Sequence, residues 1–195
     1  MMQDGKALQS GTSHFLGQNF AKAFDIKFQS QAGQLEYAWQ TSWGVSTRLV
    51  GAVVLGHGDE KGLILPPKVA PIQVVIVPIY KSDAEKETVL SSAADLFKSL
   101  KAAGVRVHMD DRDNHTPGFK YNHWELRGVP VRIAIGPKDV AKNVVEIARR
   151  DNLEKMRDVP RDGIVETINN LLVTVQKAIF DRALAFRTEN SATAT

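Results

Sequence analysis

The pattern of apolar and polar positions is clearest in the second part of the chain. The run IQVVIVPI (72–79) is continuously apolar, which is typical of a strand buried on both faces of a sheet. From Ser82 to Gly104 the apolar residues recur at helical spacing, with a Ser–Asp pair at the start and a glycine at the end. This part therefore begins with a buried strand followed by an amphipathic helix.

The same alternation continues to the end of the chain. VRVHM (105–109) and VPVRIAIG (129–136) are predicted strands, and a helix through Trp124 lies between them. Residues 144–148 favour a further strand, although a helix also fits, and a long helix begins at about residue 162. Strands that alternate with helices predict an α/β domain with a mixed, mostly parallel sheet.

The first part of the chain has a different pattern. Thr12 or Ser13 can cap a helix that would carry Phe15 and Phe24 on its apolar face. Apolar residues then alternate on both sides of a turn at 31–33, which predicts an antiparallel hairpin with one buried face. These elements are too few to enclose a core.

Composition limits the class of protein. The chain has 195 residues, 43% of them hydrophobic and 24% charged, as in an ordinary globular protein. A net charge of +3 permits a nucleic-acid partner without requiring one, and the lack of cysteine excludes disulfides and cysteine-ligated zinc. No apolar run reaches the roughly 18 residues of a membrane span, so we expect a cytoplasmic protein with no membrane partner.

The segment TSWGVSTRLVGAVVLGHGDEKGL (41–63) carries the first candidate site. Gly44 permits a close approach of backbone to a ligand, and Arg48 offers a fork of donors that suits phosphate oxygens. The alternative is a glycine turn into a helix with one solvated arginine. His57 and Asp59 are weaker candidates, since HGD can simply end the helix and order the next turn.

The loop DDRDNHTPGFK and the helix after it carry the second candidate site. Arg and Lys read acceptors on guanine, Glu and Asp read its donors, and aromatic rings stack on bases. The candidates are Arg112, Asp113, Lys120, Glu125 and Arg127, with Phe119 and Trp124 for stacking. The alternative is a solvated loop followed by an amphipathic helix with Trp124 in the core.

Three long stretches resemble one family. GTSHFLGQNFAKAFDIKF, TSWGVSTRLVGAVVLGHGDEKGLILPP and APIQVVIVPI are similar to prolyl-tRNA synthetase, a class II aminoacyl-tRNA synthetase, in its archaeal/eukaryotic-like form. DDRDNHTPGFKYNHWELRGVPVRIAIGPKD resembles its anticodon-binding domain, and the likeness runs from about Gly5 to Phe186. The resemblance implies that residues 1–68 are the end of a catalytic domain, with a largely antiparallel sheet, that 69–188 bind the anticodon, and that 189–195 form a disordered tail.

The resemblance also implies roles for individual residues. TSWGVSTR is similar to the third class-defining motif, so Arg48 would be catalytic through its contact with the γ-phosphate of ATP. The implied ATP-binding residues are Gln9, Thr12, Thr47 and Arg48, and the implied proline-binding residues are His14, Trp43, Gly44 and Ser46.

The implied reaction has two steps. Proline attacks the α-phosphate of ATP, with Mg²⁺ bridging phosphates, and the prolyl group then passes to tRNA(Pro). Positioning and charge stabilisation suffice, so no covalent nucleophile and no protein-held metal are expected. The full-length enzyme is expected to be a homodimer.

The sequence also departs from the family pattern. The first two class motifs are missing, so we predict a fragment that is inactive alone. A non-catalytic tRNA-binding module is the first alternative, although such a module has no use for Arg48, Gln9 and His14 together. A sibling synthetase for another amino acid is the second. A threonyl enzyme would bind zinc through cysteine and histidine, and this chain lacks cysteine, while histidyl and glycyl relatives lack the TSH…TSWG pairing.

Overall fold

The computed structural model of the chain describes residues 2–192, which divide into two compact units between Leu55 and Gly56. We call them the N-terminal unit and the C-terminal unit. The strands are β1 Thr12–Gly17, β2 Lys27–Gln29, β3 Leu35–Tyr37, β4 Gln40–Gly44, β5 Val74–Pro78, β6 Val107–Met109, β7 Val131–Ile135, β8 Val144–Arg149 and β9 Lys155–Pro160. The helices are α1 Asn19–Ala23, α2 Arg48–His57, α3 Asp83–Ala102, α4 Pro117–Leu126, α5 Pro137–Lys142 and α6 Ile164–Glu189. Within these described residues, no helix is long and apolar enough to cross a membrane.

The first prediction for the N-terminal unit is wrong. Residues Thr12–Gly17 form strand β1, which pairs antiparallel with β4, and the helix covers only Asn19–Ala23. β-branched and aromatic residues favour an extended chain over a helix, and Gly17, with φ +60°, ends the strand. Thr12 is therefore a strand residue opposite Gly44.

The hairpin of the N-terminal unit is confirmed, but its buried face is not. Strands β2 and β3 pair antiparallel across a turn in which Gly33 has φ +76°. Phe28 and Leu35 nevertheless remain 48% and 71% exposed. Ala21 is the one buried residue among residues 2–55, so this unit has almost no core of its own.

The C-terminal unit is built on a mixed five-stranded sheet with the order β6-β5-β7-β8-β9. Strand β5 is parallel to both of its neighbours, β6 and β7. Strand β8 is antiparallel to both of its neighbours, β7 and β9. The mixed sheet is confirmed, with fewer parallel pairs than predicted. The short helix α5 explains this, because a parallel crossover needs a dozen or more residues and the link from β7 to β8 is shorter.

Both faces of the sheet are covered by helices. Val74 and Ile76 of β5 pack in one cluster with residues of α3 and α6, whereas Val75 and Val77 pack with Trp124 of α4. The alternation of side chains along a strand produces this division. The predicted helix start is also confirmed, because the Ser82 hydroxyl accepts a hydrogen bond from the Glu85 amide at 3.4 Å.

Within the C-terminal unit, the segment before β5 packs against the end of α4. The Leu63 and Leu65 amides donate to the carbonyl oxygens of Leu126 and Gly128 at 3.0 and 3.1 Å. Gly128 has φ +72°, and a Cβ there would come within 2.6 Å of the Leu63 Cβ. This glycine therefore serves two needs, the end of α4 and the close approach of a second backbone.

The end of the chain is only partly described. Helix α6 includes Glu189, the first residue of the predicted tail, and residues 193–195 lie outside the described residues. The division into a catalytic part and an anticodon-binding part stays a prediction.

Candidate functional site

One cavity in the N-terminal unit collects five of the predicted residues. It has a volume of about 260 Å³ and is lined by Ser10, Gly11, Val45 and the predicted Gln9, Thr12, Gly44, Ser46 and Arg48. The pairing of β1 with β4 brings Thr12 beside Gly44, and α2 begins at Arg48. Residues about 35 positions apart in sequence therefore share one site.

A short hydrogen-bond chain orders this cavity. Gln9 Nε2 donates to Thr12 Oγ1 at 2.9 Å, and an Arg48 terminal nitrogen donates to Gln9 Oε1 at 3.3 Å. The Arg48 amide also donates to Ser46 Oγ at 3.3 Å. Arg48 forms no ion pair with any carboxylate of residues 2–192. A lone guanidinium among neutral hydrogen-bonding groups suits a phosphate.

Three other predicted residues do not line the cavity. His14 lies opposite Ser42 on the strand face that also carries Thr12. Trp43 lies opposite Ser13 on the other face and is 80% exposed. Thr47 is exposed, and its carbonyl oxygen accepts from the Val50 amide.

The second candidate site is organised by Asp110, directly after β6. This carboxylate is 1% exposed and accepts from Arg112 Nε at 2.8 Å, Arg112 NH2 at 2.7 Å and Trp124 Nε1 at 2.7 Å. Burial raises the pKa of the Asp110 carboxyl, but the bonds from Arg112 and Trp124 more than offset it and hold that pKa well below its ordinary value. Asp110 thus fixes the loop to helix α4.

Two of the predicted base-contacting residues are buried in this arrangement. Lys120 is 4% exposed, and its ammonium donates to the Asp110 carbonyl oxygen at 3.1 Å. Burial lowers the pKa of Lys120. Trp124 is 5% exposed, as in the alternative interpretation that places it in the core. Both side chains hold the loop in place, and the Arg127 guanidinium lies 5.6 Å from the Trp124 ring centroid.

Asp113 is also engaged within the protein. Its carboxylate accepts from the Tyr80 hydroxyl and from the Lys86 ammonium. Burial and the Asp113 carboxylate raise the pKa of Tyr80 to about 12, so this phenol stays protonated and remains a donor. These bonds connect the loop after β6 to the start of α3.

The Phe119 ring stacks between the ring of His115, just before helix α4, and the ring of His123, within that helix. Its ring lies 4.2 Å from that of His115 and 6.1 Å from that of His123, with interplanar angles of 21° and 25°. Phe119 is 48% exposed, so one of the predicted stacking residues is accessible. Burial, together with the charges of Arg127 and Arg112, lowers the pKa of His123. The two histidines were not predicted; His123 follows Phe119 by four residues on the same face of α4, whereas His115 lies just before the helix.

Arg132 of β7 is a candidate that the sequence did not single out. It is 5% exposed, its guanidinium lies 3.5 Å from the Tyr121 ring centroid, and its nearest carboxylate is Glu146 at 3.7 Å. Its Nε and NH1 make no hydrogen bond with any atom of residues 2–192. A buried guanidinium with free donors requires an acceptor from a ligand or from water.

Arg132 shares its surroundings with Glu125. Both line a narrow crevice with Tyr121, and Tyr121 also lines an adjoining cavity of about 160 Å³ with Asp139, Glu146, Arg157 and Asp158. The crevice groups donors, an acceptor and an aromatic ring within one small region, but its volume of about 10 Å³ holds only about one water molecule, so a side chain would have to move before a larger ligand could reach these groups. An arginine inside an otherwise apolar strand is the sequence signal that could have identified it.

The ion pair between Asp59 and Arg150 stabilises the backbone next to the Arg132 crevice. Asp59 accepts from Arg150 at 2.8 and 2.5 Å, and Arg150 Nε donates to the Glu125 carbonyl oxygen at 2.9 Å. Asp59 also accepts from the Lys61 amide at 2.9 Å, which orders the turn as predicted. The pair joins the segment after α2 to the end of α4.

We expect Asp59→Asn to lower the free energy of unfolding of the C-terminal unit by about 2 kcal/mol at neutral pH, since Arg150 is buried and Asp59 partly solvated. The hydrogen bond from Arg150 lowers the pKa of Asp59 to about 2 from an ordinary 3.8. Because the pKa of Asp59 is depressed, the contribution of this ion pair to the free energy of unfolding is complete above about pH 4 and is lost as the pH falls through about 2. Urea unfolding at several pH values measures this. Glu60→Gln, at an exposed neighbour, is the control, and equal effects of the two substitutions would contradict the assignment.

No group of three or more metal-ligating side chains occurs within the described part of the chain. In the C-terminal site, Asp110 is paired with Arg112 and Asp113 with Lys86. The lining of the Arg48 cavity contains no carboxylate at all.

The chain is similar to several known proteins. Residues 73–171 match the family model described as "Anticodon binding domain", and the chain belongs to this family. Its curated relatives include the proline–tRNA ligases of Chloroflexus aurantiacus, 56% identical over all of this chain and 41% of that protein, and Flavobacterium psychrophilum, 57% identical over 96% and 38%.

A solved structure is similar as well. The prolyl-tRNA synthetase of Cryptosporidium parvum, complexed with halofuginone and AMPPNP, has a TM-score of 0.88 and 47% identity. The match covers 95% of this chain and 38% of that one. The chain thus spans about 40% of the length of the relatives it matches.

Proposed function

We propose that these residues belong to a proline–tRNA ligase, which joins L-proline to tRNA(Pro) through prolyl-adenylate. The observation that carries this proposal is the 56% identity to a proline–tRNA ligase across all of the chain, including the segments that form both candidate sites. We assign residues 1–68 to the end of the catalytic domain and 69–188 to the anticodon-binding domain.

In the N-terminal unit, Arg48 would bind the γ-phosphate of ATP. The supporting geometry is the unpaired guanidinium beside Gln9, Thr12 and Ser46. Thr47 would complete the ATP site. His14, Gly44 and Ser46 would face proline, and Trp43, on the opposite face of the strand pair, would support that pocket from behind. Mg²⁺ would arrive on the ATP phosphates, since the cavity lining has no carboxylate to hold it.

In the C-terminal unit, the crevice around Arg132 and Glu125 would read an anticodon base. Arginine donors match the O6 and N7 acceptors of guanine, and a carboxylate matches its amino donor. Asp113, Lys120 and Trp124 would order the surface, while Arg112, Phe119 and Arg127 would contact neighbouring nucleotides. Tyr121 would offer its ring for stacking.

The remaining assignments follow from the proposed activity. A homodimer is proposed for the full-length enzyme, and a cytoplasmic location because tRNA is charged where translation takes place. A non-catalytic tRNA-binding module would leave the Arg48 cavity without a ligand. The 195-residue polypeptide would not form prolyl-adenylate by itself, since the arginine of the second class motif is not among its residues.

The test is binding of the 195-residue chain to a proline tRNA transcript and to one whose two anticodon guanines are replaced. At fixed salt we expect replacement to weaken binding by about tenfold or more, since each bidentate base contact is worth about 1–3 kcal/mol. Arg132→Gln should remove this discrimination, whereas Arg127→Gln should weaken both complexes to a similar extent. A circular-dichroism melt of each variant confirms folding. Equal binding of the two transcripts by the folded parent chain would contradict the proposal.

A further inference from the structure

The largest cavity described in the C-terminal unit lies away from the crevice that contains Arg132. Its volume is about 540 Å³, and it is bordered by the loop Pro67–Lys68, the turn after α3 and one side of α6. Val105 and Leu172 are buried at its base, whereas Val173 and Phe180 are 70% and 61% exposed. The volume lies within the range of small-molecule sites.

The wall formed by the loop is held rigidly. Arg106 donates to the carbonyl oxygens of Ala70 at 2.8 Å and Pro67 at 2.7 Å, and Gln73 Nε2 donates to the same Pro67 oxygen at 3.2 Å. The Lys68 amide donates to Gln176 Oε1 at 3.0 Å, which ties the loop to α6. The cavity is therefore formed before any ligand arrives, so a ligand would not have to order its wall.

The charges of the lining have one sign. Lys68 and Lys177 are its charged residues, and no carboxylate lines the cavity. Lys177 is paired with Asp181 on α6. The Lys68 ammonium forms no ion pair or hydrogen bond within residues 2–192, so its charge is free to meet an anion.

We propose that this cavity binds a small amphipathic monoanion, whose aromatic or alkyl body packs on Leu172 and Phe180 and whose carboxylate pairs with Lys68. The mostly apolar lining favours an apolar body, and the exposed lysine at the edge, which has no carboxylate partner, favours a negative head group. The site takes no part in the reading of tRNA or the binding of ATP proposed above, and stands independently of them.

The test uses two probes with the same apolar body, 4-phenylbutyrate and the uncharged 4-phenylbutanol. Each is titrated into the isotope-labelled 195-residue chain and followed by amide chemical shifts. We expect saturable shifts at Gly104, Val105, Leu172 and Val173, with a dissociation constant on the order of 1 mM for the carboxylate. The alcohol should bind about three- to fivefold more weakly, as expected for one partly exposed ion pair.

Two variants and a control locate the charge effect. Lys68→Gln should make the two probes bind equally, and Val173→Glu, at an exposed edge position, should weaken the carboxylate more than the alcohol. Lys98→Gln, on the exposed surface of α3 and outside the lining, should change neither. Absence of saturable shifts in the lining, shifts confined to the exposed aromatic residues of the N-terminal unit, or equal affinity of the parent chain for both probes would overturn the proposal. If the amide chemical shifts of Val105 and Leu172 in each ligand-free variant match those of the parent chain, the cavity is still folded.

Discussion

Replacing Arg48 by alanine is expected to lower ATP–pyrophosphate exchange by about 10²- to 10³-fold, the usual cost of removing one preorganised donor from developing negative charge. Arg48 forms no ion pair within residues 2–192 and lines a cavity whose other members are neutral. Its loss would leave the γ-phosphate without a positive partner there. The effect should fall on the chemical step more than on the affinity for proline.

The measurement requires the rest of the catalytic domain. We would exchange the matching segment of the Chloroflexus aurantiacus proline–tRNA ligase for these 195 residues, which are 56% identical to it. The unmodified chimera and Lys61→Ala, at an exposed position outside the cavity, are the active controls. Arg48→Lys should recover only part of the activity, because an ammonium lacks the fork of donors. Exchange by Arg48→Ala at the rate of the active chimera would rule out the assigned role.

The elements that could be predicted are those in which the pattern of apolar residues directly follows the burial of the element. Strand β5 is a continuous apolar run because both of its faces are covered, and α3 has a capping serine and one apolar side. Strand β9 was missed because Lys155–Pro160 is charged and largely exposed, as is usual at the edge of a sheet. Its sequence contains little of the pattern that identifies a buried strand.

The N-terminal unit illustrates a different limit. Phe15 and Leu16 fit the apolar side of a helix as well as they fit a strand, since a short segment satisfies both periods. Only the pairing of β1 with β4, between segments distant in sequence, decides between them.

The candidate sites could be predicted by residue type but not by side-chain direction. Lys120 and Trp124 are four residues apart and lie together on the inner side of α4, whereas Phe119 and His123 share another side. Helical spacing therefore separates the residues that hold the loop from those that are accessible, once the helix is placed on the sheet. The role of Asp110 depends on contacts that no spacing predicts.

We expect Asp110→Ala to lower the free energy of unfolding of the C-terminal unit by about 3 kcal/mol, the lower part of the range for breaking a buried charged pair. The substitution leaves the buried Trp124 Nε1 without an acceptor and removes both bonds from Arg112. Arg112 is partly solvated, which limits the loss. Urea unfolding followed by far-ultraviolet circular dichroism and tryptophan emission measures it.

Asp111→Ala is the matched control, because it removes an exposed carboxylate from the adjacent position and should change stability by less than about 0.5 kcal/mol. The pKa of Asp110 is depressed in the folded protein, so its contribution is complete above the ordinary carboxyl pKa and disappears as the pH falls through the folded value. The difference between the parent chain and Asp110→Asn should therefore be constant near neutrality and shrink only below about pH 4. Equal destabilisation by Asp110→Ala and Asp111→Ala would mean that the loop is held by Tyr80, Lys86 and Lys120 without the buried carboxylate.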